Sequence, residues 1–163
     1  MTLPADGIVR YRVTVAEDWL DYNDHMNVAM YLRAFDDASE ALSRIVGMGP
    51  DYERETGNSW VALESHITYQ REARLGEVLD IETRVLGVTA KKLHLCQEML
   101  RNGELLATHE QLGLHFDTGA RASSPFAPDI LANYTYLYEA QGGRPRPEWL
   151  GRAVALEQSR PRA

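Results

Sequence analysis

Alternating apolar and polar residues mark five segments of the chain as β-strands. The first, residues 8–16, reads IVRYRVTVA, and its period of two is typical of a strand with one buried face. Four further segments of this kind span residues 60–69, 78–88, 92–101 and 105–116. Asn102-Gly103, between the last two segments, is a strong signal for a tight hairpin. In the second segment the alternation predicts one face that carries Val61, Leu63, Ser65, Ile67 and Tyr69.

Apolar residues at intervals of three and four predict a long amphipathic helix between the first and second strands. The expected buried stripe of this helix consists of Val28, Leu32, Phe35, Ala38, Leu42 and Ile45. Asn27 is a suitable N-cap, and Gly47 with Pro50 indicates the end of the helix. A shorter helical turn is expected around residues 51–55, and a second helix is expected from Pro128 to about Gln141.

The order of these elements is strand, long helix, four strands and helix, which predicts an α+β fold. An antiparallel sheet that follows such a helix must curl around it to bury its apolar stripe. We expect one domain over residues 1–141, followed by a tail over residues 142–163 that is rich in Pro and Arg. The tail is expected to be extended, with Trp149 and Leu150 able to dock and the last few residues disordered.

Composition narrows the class of protein. Hydrophobic residues make up 44% of the chain and charged residues 25%, which is typical of a soluble globular protein. No stretch approaches the roughly 20 apolar residues of a membrane span, and the first residues do not resemble a secretory signal. The single cysteine, Cys96, cannot form an internal disulfide, so we expect a reducing, cytoplasmic location.

The charge is distributed unevenly along the chain. Residues 142–163 hold five Arg and two Glu, so residues 1–141 keep 12 of the 17 basic and 22 of the 24 acidic residues, a net charge of −10. Such a body should repel nucleic acid and anionic membranes. A phosphate-bearing ligand would need a local basic cluster, for which the candidates are Arg71, Arg74, Lys91 and Lys92.

The densest polar cluster is the loop Leu20-Asp21-Tyr22-Asn23-Asp24-His25-Met26-Asn27, directly before the long helix. The first N–H groups of a helix have no intrahelical partner and carry the positive end of its dipole, so they can stabilise an oxyanion. A nearby carboxylate can act as a general base or nucleophile, and an imidazole and a carboxamide can orient water and a carbonyl. The same residue types also cap helices and bond local backbone, so a purely structural role stays open.

The stretch Asp21-x-Asn23-x-His25-x-Asn27, followed by Tyr31-Leu32, resembles the signature of hotdog-fold thioesterases of the 4-hydroxybenzoyl-CoA thioesterase superfamily. It is also similar to a stretch of plant acyl-ACP thioesterases. The resemblance covers roughly residues 8–117 and includes the order of elements. ESHITYQREARLGEVLDI, KKLHLCQEM and ATHEQLGLHFD look most like the subfamily that accompanies carnitine dehydrogenase and cleaves betainyl-CoA.

The resemblance implies a five-stranded antiparallel sheet around the long helix, and homodimers or homotetramers with sites between subunits. It implies hydrolysis of an acyl-CoA without a metal or other cofactor. Asp21 would be the base or nucleophile, Asn23 and His25 would polarise the thioester and position water, and backbone N–H groups near Asn27 and Val28 would form the oxyanion hole. Many relatives have Gly before the His, whereas this chain has Asp24, so the acid role could be shared or reassigned.

Other candidates lie in the strands. Glu64 is expected on the face opposite Leu63 and Ile67, where it could meet a partner subunit's site or simply water. Glu110 is a weaker candidate of the same kind. The resemblance alone suggests that His94 contacts substrate or CoA. The five histidines and one cysteine lack the compact spacing of a zinc site, and the chain has no GxSxG, GxGxxG or P-loop motif.

A trimethylammonium group, as in betainyl-CoA, is held by aromatic faces and nearby negative charge. The rings expected near the site are Trp19, Tyr22, Trp60 and Tyr69. These rings could instead fill core and interface. A thioesterase for another short or medium acyl-CoA, an acyl-CoA-binding hotdog protein without catalysis, and a hotdog dehydratase remain as alternatives.

Overall fold

The computed structural model describes residues 2–156 and contains one antiparallel sheet. Its main strands are β1 (Ile8–Thr14), β2 (Asn58–Tyr69), β3 (Val78–Val88), β4 (Lys92–Arg101) and β5 (Glu104–Asp117). Their order in the sheet is β1-β3-β4-β5-β2, and a two-residue strand, β6 (Ala122–Ser123), pairs with the end of β5. The predicted α+β class and five-stranded antiparallel sheet are confirmed.

Three helices accompany the sheet: α1 (Val28–Val46), α2 (Tyr52–Thr56) and α3 (Pro128–Glu139), with a 3-10 turn at Glu17–Trp19. The side chain of Asn27 accepts a hydrogen bond from the N–H of Ala29 at 2.9 Å, so it caps α1 as predicted. Gly47 ends α1 with a φ of 107°, a left-handed conformation that glycine adopts without a steric penalty. No helix in residues 2–156 is both long and apolar enough to span a membrane.

The core lies between α1 and the face of the sheet that packs against it, which we call the inner face. The buried apolar residues of α1 are Tyr31, Ala34, Phe35, Ala38, Leu42 and Val46. Val28 and Leu32, which were predicted to be buried, are 59% and 45% exposed, so the prediction was wrong for them. The buried stripe starts at Tyr31, whose hydroxyl donates to the carbonyl of Arg71 and accepts from the N–H of Ala73 in the β2–β3 connection.

β2 is an edge strand with a bulge at Leu63. Ala62 pairs with Gly113 and Glu64 with Leu112, which leaves Leu63 as the additional residue on β2. A bulge interrupts the strict alternation of faces. Ser65 bonds the inner-face His109, whereas Val61 precedes the bulge and lies on the outer face, away from α1. The prediction that Val61 shares a face with Ser65 was therefore wrong.

The close packing of Gly113 under Trp60 gives a test of this register. A Cβ added at Gly113 would lie 2.0 Å from Cζ3 of Trp60, whereas one added at Gly87 would have no neighbour within 4 Å. We expect Gly113→Ala to lower the free energy of unfolding by about 1–3 kcal/mol, the usual effect of overpacking. Gly87→Ala is the matched control, and urea unfolding measures both. Equal stability of the two variants would contradict the register.

The chain after α3 passes onto the outer face of the sheet. Trp149 donates its indole N–H to Glu98 at 2.9 Å, and the N–H of Gly151 donates to Glu110 at 2.6 Å. Cys96 lies on the same face and is buried, and this burial raises the pKa of its thiol to about 12. Residues 157–163, which include those predicted to be disordered, lie outside the described part of the chain.

Candidate active site

The loop over residues 20–27 is closed on itself and fixed to the rest of the fold. Leu20 and Met26 form an antiparallel bridge, and the N–H of Asp21 donates to the carbonyl of His25 at 2.8 Å. Met26 is buried, and its N–H donates to the carbonyl of Ala73 at 2.8 Å. The β2–β3 connection therefore sets the position of the loop beside the start of α1.

The two carboxylate oxygens of Asp21 differ in their surroundings. Oδ1 accepts hydrogen bonds from the N–H of Asn23 at 2.8 Å and from the N–H of His25 at 3.4 Å. Oδ2 has no hydrogen-bond partner among residues 2–156. Oδ1 thus stabilises the loop, which is the structural role that the sequence left open. Oδ2 is free to accept a proton or to attack a carbonyl carbon.

Asp24 occupies a left-handed backbone conformation, which favours glycine. Its φ is 59°, in the left-handed region, and its N–H donates to the carbonyl of Asp21 at 3.1 Å. Glycine adopts this conformation freely, and Asp and Asn tolerate it better than other residues. The exposed side chain of Asp24 makes no hydrogen bond within the described residues, so its backbone conformation is what ties it to the loop.

This reasoning predicts different outcomes for two substitutions at Asp24. Asp24→Gly should keep both turnover and stability. Asp24→Val should lower the free energy of unfolding by about 1–2 kcal/mol, because a β-branched residue is strained at a left-handed φ. Thermal unfolding and a thioesterase assay check the pair. A large loss of turnover in a stable Asp24→Gly variant would instead give the Asp24 carboxylate a chemical role.

The structure shows which of the backbone N–H groups expected in the oxyanion hole are already hydrogen-bonded and which are free. The N–H of Asn27 already donates to the carbonyl of Trp19 at 2.8 Å, so Asn27 does not supply this donor here. The N–H of Ala29 is occupied by the Asn27 side chain. The N–H of Val28, the first of α1, has no hydrogen-bond partner among the described residues. Val28 therefore offers a free backbone donor at the start of α1.

His25 is partly buried and lies beside a carboxylate that the sequence pattern did not reveal. Its Nε2 is 3.4 Å from Oε1 of Glu72, which also accepts from Nη2 of Arg74 at 2.8 Å. The pKa of the Glu72 carboxyl is lowered, first by the hydrogen bond from Arg74 and then by the charge of His25. Glu72 lies in a run of charged residues without periodicity, so no signal in the sequence predicted this contact.

Of the four aromatic rings predicted near the site, Tyr69 lies next to Tyr31, which holds the β2–β3 connection. Tyr69 stacks edge-on against Tyr31, with ring centroids 5.3 Å apart, and Tyr31 holds the same β2–β3 connection that holds Met26. Burial raises the pKa of Tyr31, which keeps its hydroxyl protonated as a donor to Arg71. Tyr31 belongs to the recognised signature, but the sequence did not assign it this positioning role.

Trp19 and Tyr22 differ in how far the fold holds them. Trp19 is partly buried against the core, whereas Tyr22 is 95% exposed. The loop therefore fixes the Trp19 ring and leaves the Tyr22 ring in solvent in the single chain.

Three other predicted site residues lie away from the loop. Trp60 packs in the core cluster around α3, nine residues along β2 from Tyr69, a separation of about 30 Å in an extended strand. Glu64 lies on the outer face, next to the bulge. His94 is on the outer face too, with Nε2 2.8 Å from Oε1 of Glu110. A single chain therefore does not bring Trp60, Glu64 or His94 to Asp21.

No group of three or more His, Cys, Asp or Glu residues within the described range could hold a metal ion. The polar groups of the loop are two carboxylates, two carboxamides, one imidazole, one phenol and free backbone N–H groups. These groups suit proton transfer and oxyanion stabilisation at a carbonyl carbon.

Comparison with known proteins places this chain in a family. A family model described as the thioesterase-like superfamily matches residues 15–134. The chain is 32% identical over 151 residues to a Pseudomonas aeruginosa protein named betainyl-CoA thioesterase, and the match covers 91% of this chain and 95% of that protein. It is 37% identical over 137 residues to a Ruegeria pomeroyi protein named L-carnitine dehydrogenase/betainyl-CoA thioesterase. That match covers 84% of this chain and only 28% of the longer protein.

Among solved structures, a hypothetical protein from Staphylococcus aureus, determined in complex with CoA, superimposes with a TM-score of 0.88 and 25% identity. The superposition covers 92% of this chain and 96% of that one. The family match and the structural likeness confirm the predictions of a hotdog fold and of a thioester hydrolase.

Proposed function

We propose that this protein, which belongs to the thioesterase-like superfamily, hydrolyses betainyl-CoA to the free acid and CoA in the breakdown of carnitine. The observation that carries the chemistry is the free Oδ2 of Asp21, on a rigid loop beside the unpaired N–H of Val28. The choice of betainyl as the acyl group rests on the names of the relatives. We place the activity in the cytoplasm, since the free, buried Cys96 is consistent with a reducing compartment.

In the proposed reaction, the thioester carbonyl oxygen accepts a hydrogen bond from Val28 N–H at the positive end of α1. Oδ2 of Asp21 either removes a proton from the attacking water or attacks the carbonyl carbon itself, which forms a mixed anhydride that water then cleaves. CoA leaves as the thiolate and takes up a proton. His25 and Asn23 orient the water and the carbonyl. Transfer of ¹⁸O from labelled water into Asp21 during a single turnover identifies the nucleophilic route.

We propose that the working unit is a homodimer, or a homotetramer built from it, formed through the edge strand β2. β2 is 12 residues long and lies at the edge of the sheet, so its outer hydrogen-bonding groups can pair with a second copy. Exposed apolar side chains accompany this edge on β2 and on α1: Val61, Leu63, Tyr69, Val28 and Leu32. Sedimentation should give a dimer or larger species at micromolar concentration, and an active monomer would contradict the proposal.

Such pairing would complete the site. Two β2 strands paired antiparallel about their midpoint bring the Trp60 end of one copy to the Tyr69 end of the other. Both rings lie on the inner face, the side of α1 and the loop. The aromatic cage expected from the sequence then forms from two chains, with Trp60 from a second copy, and Glu64 and His94 remain on the outer face.

The acyl group is tested with a matched pair of substrates. Betainyl-CoA and tert-butylacetyl-CoA have the same shape, and only the first carries a charge. Cation–π contacts are worth about 0.5–2 kcal/mol each, so each contact should favour the cation in kcat/KM by roughly 2- to 30-fold. Release of free thiol measures both rates.

The control for this comparison is a ring outside the proposed cage. Tyr69→Leu and Trp60→Leu should reduce the preference for the cation, whereas Tyr136→Leu, at an exposed ring of α3, should not. Equal rates for the two substrates would mean that the pocket is simply apolar. Binding of acyl-CoA without release of thiol would favour the non-catalytic alternative.

A further inference from the structure

A cavity of about 220 Å³ opens on the outer side of the sheet, where the chain leaves α3 and crosses β3. Among its lining residues are Arg84 of β3, Arg144 and Arg146 of the C-terminal segment, and Glu139 and Gln141. Three arginines against one glutamate give these walls a formal charge of +2, in a chain whose net charge is −7. The cavity is therefore a local positive site on a negative protein.

Arg84 is the fixed charge of this site. Its side chain is only 8% exposed, yet all its hydrogen bonds go to neutral acceptors. Nε donates to Oε1 of Gln141 at 2.9 Å, and Nη2 donates to the carbonyls of Arg144 and Pro145 at 3.3 and 3.1 Å. No carboxylate among residues 2–156 forms a salt bridge with it. A buried charge without a counter-ion is costly, so a bound anion would relieve that cost.

The other two arginines keep free donors. Arg146 donates Nη2 to the carbonyl of Leu86 at 3.3 Å, and the Arg144 guanidinium makes no hydrogen bond within the described residues. The arginines that the sequence suggested for phosphate binding differ in this respect. Arg71 is paired with Glu104 at 2.6 Å, and Arg74 with Glu72 at 2.8 Å.

We propose that Arg84, Arg144 and Arg146 bind a phosphate group in this cavity. Arginine presents a planar fork of donors that matches phosphate oxygens. The cavity is smaller than the roughly 300–1,000 Å³ of sites for whole drug-sized ligands, so it suits one or two phosphate groups. Such a phosphate can come from the nucleotide end of a CoA or from a free phosphate, and the titrations below distinguish these two sources.

Calorimetric titration with CoA, orthophosphate and phosphate-free pantetheine tests the proposal. The variant is Arg144→Gln with Arg146→Gln, which removes two donors and keeps the carbonyls that Arg84 needs. The matched control is Arg54→Gln with Arg121→Gln, which changes the net charge equally at exposed positions outside the cavity. Thermal unfolding of both variants shows that the fold is retained.

We expect the first variant to bind CoA and orthophosphate at least ~10-fold more weakly, with affinity for pantetheine unchanged and the control close to the original protein. Weaker orthophosphate binding with unchanged CoA binding would support the phosphate site and assign it to a free phosphate. Unchanged binding of both anions would overturn the proposal. The titrations need no turnover, so an absence of thiol release would count against the proposed function and leave this result standing.

Discussion

Replacing Asp21 with Asn should lower turnover at least ~100-fold, the low end for loss of a general base. The amide keeps an oxygen that can accept from the N–H groups of Asn23 and His25, so the loop should keep its shape. The second oxygen becomes an NH₂ group, which can neither take up a proton from water nor attack a carbonyl carbon. The loss should therefore appear in kcat, and thermal unfolding should be little changed.

Asp24→Asn is the matched control for this experiment. It makes the same chemical change three residues away, at a residue whose side chain has no hydrogen-bond partner within residues 2–156. Asn also tolerates a left-handed φ, so both fold and turnover should survive. Near-normal turnover in Asp21→Asn would shift the role of base or nucleophile to Asp24, the other carboxylate of the loop.

Local patterns were sufficient to predict most of the fold. The strand over residues 78–88 and the strand over residues 92–101 have the predicted bounds, because alternation and turn signals are local properties. Asn102 and Gly103 have φ values of 51° and 83°, the two positive values that a type I′ hairpin requires. The bulge at Leu63 was not predictable, because it depends on how β2 registers with β5.

The candidate site also combines residues that the sequence identified with contacts that it did not predict. Asp21, Asn23, His25 and Val28 are close in sequence, so the loop that they form could be identified from the chain alone. Glu72 contacts His25 only because the β2–β3 connection folds back under α1. The occupied N–H of Asn27 also depends on the backbone path of Trp19. Sequence periodicity carries no information on such long-range contacts.

The buried side chain of His109 gives a second large effect, this time on stability. His109 has no exposed surface, and its Nδ1 lies 2.7 Å from Oε1 of Gln97 while Nε2 lies 3.2 Å from Oγ of Ser65. The amide nitrogen of Gln97 donates to the carbonyl of Phe35, so its oxygen is the acceptor and Nδ1 of His109 carries the proton. Burial, with a smaller contribution from His66, lowers the pKa of His109 from 6.5 to about 4.

A histidine whose pKa is lower in the folded state stabilises the fold above its unfolded pKa. This contribution is lost as the pH falls from about 6.5 towards 4, because the unfolded chain takes up the proton first. The difference corresponds to about 3 kcal/mol at pH 4.

Between pH 7 and pH 4 the protein should therefore lose about that much more stability than His109→Gln, which cannot titrate. His94→Gln, at a partly exposed histidine that does not contribute to the pKa shift of His109, is the control, and urea unfolding across this range measures all three. If the free energy of unfolding of the original protein and of His109→Gln fell equally with pH, other groups would cause the loss of stability in acid. The core would then not hold the His109 imidazole neutral.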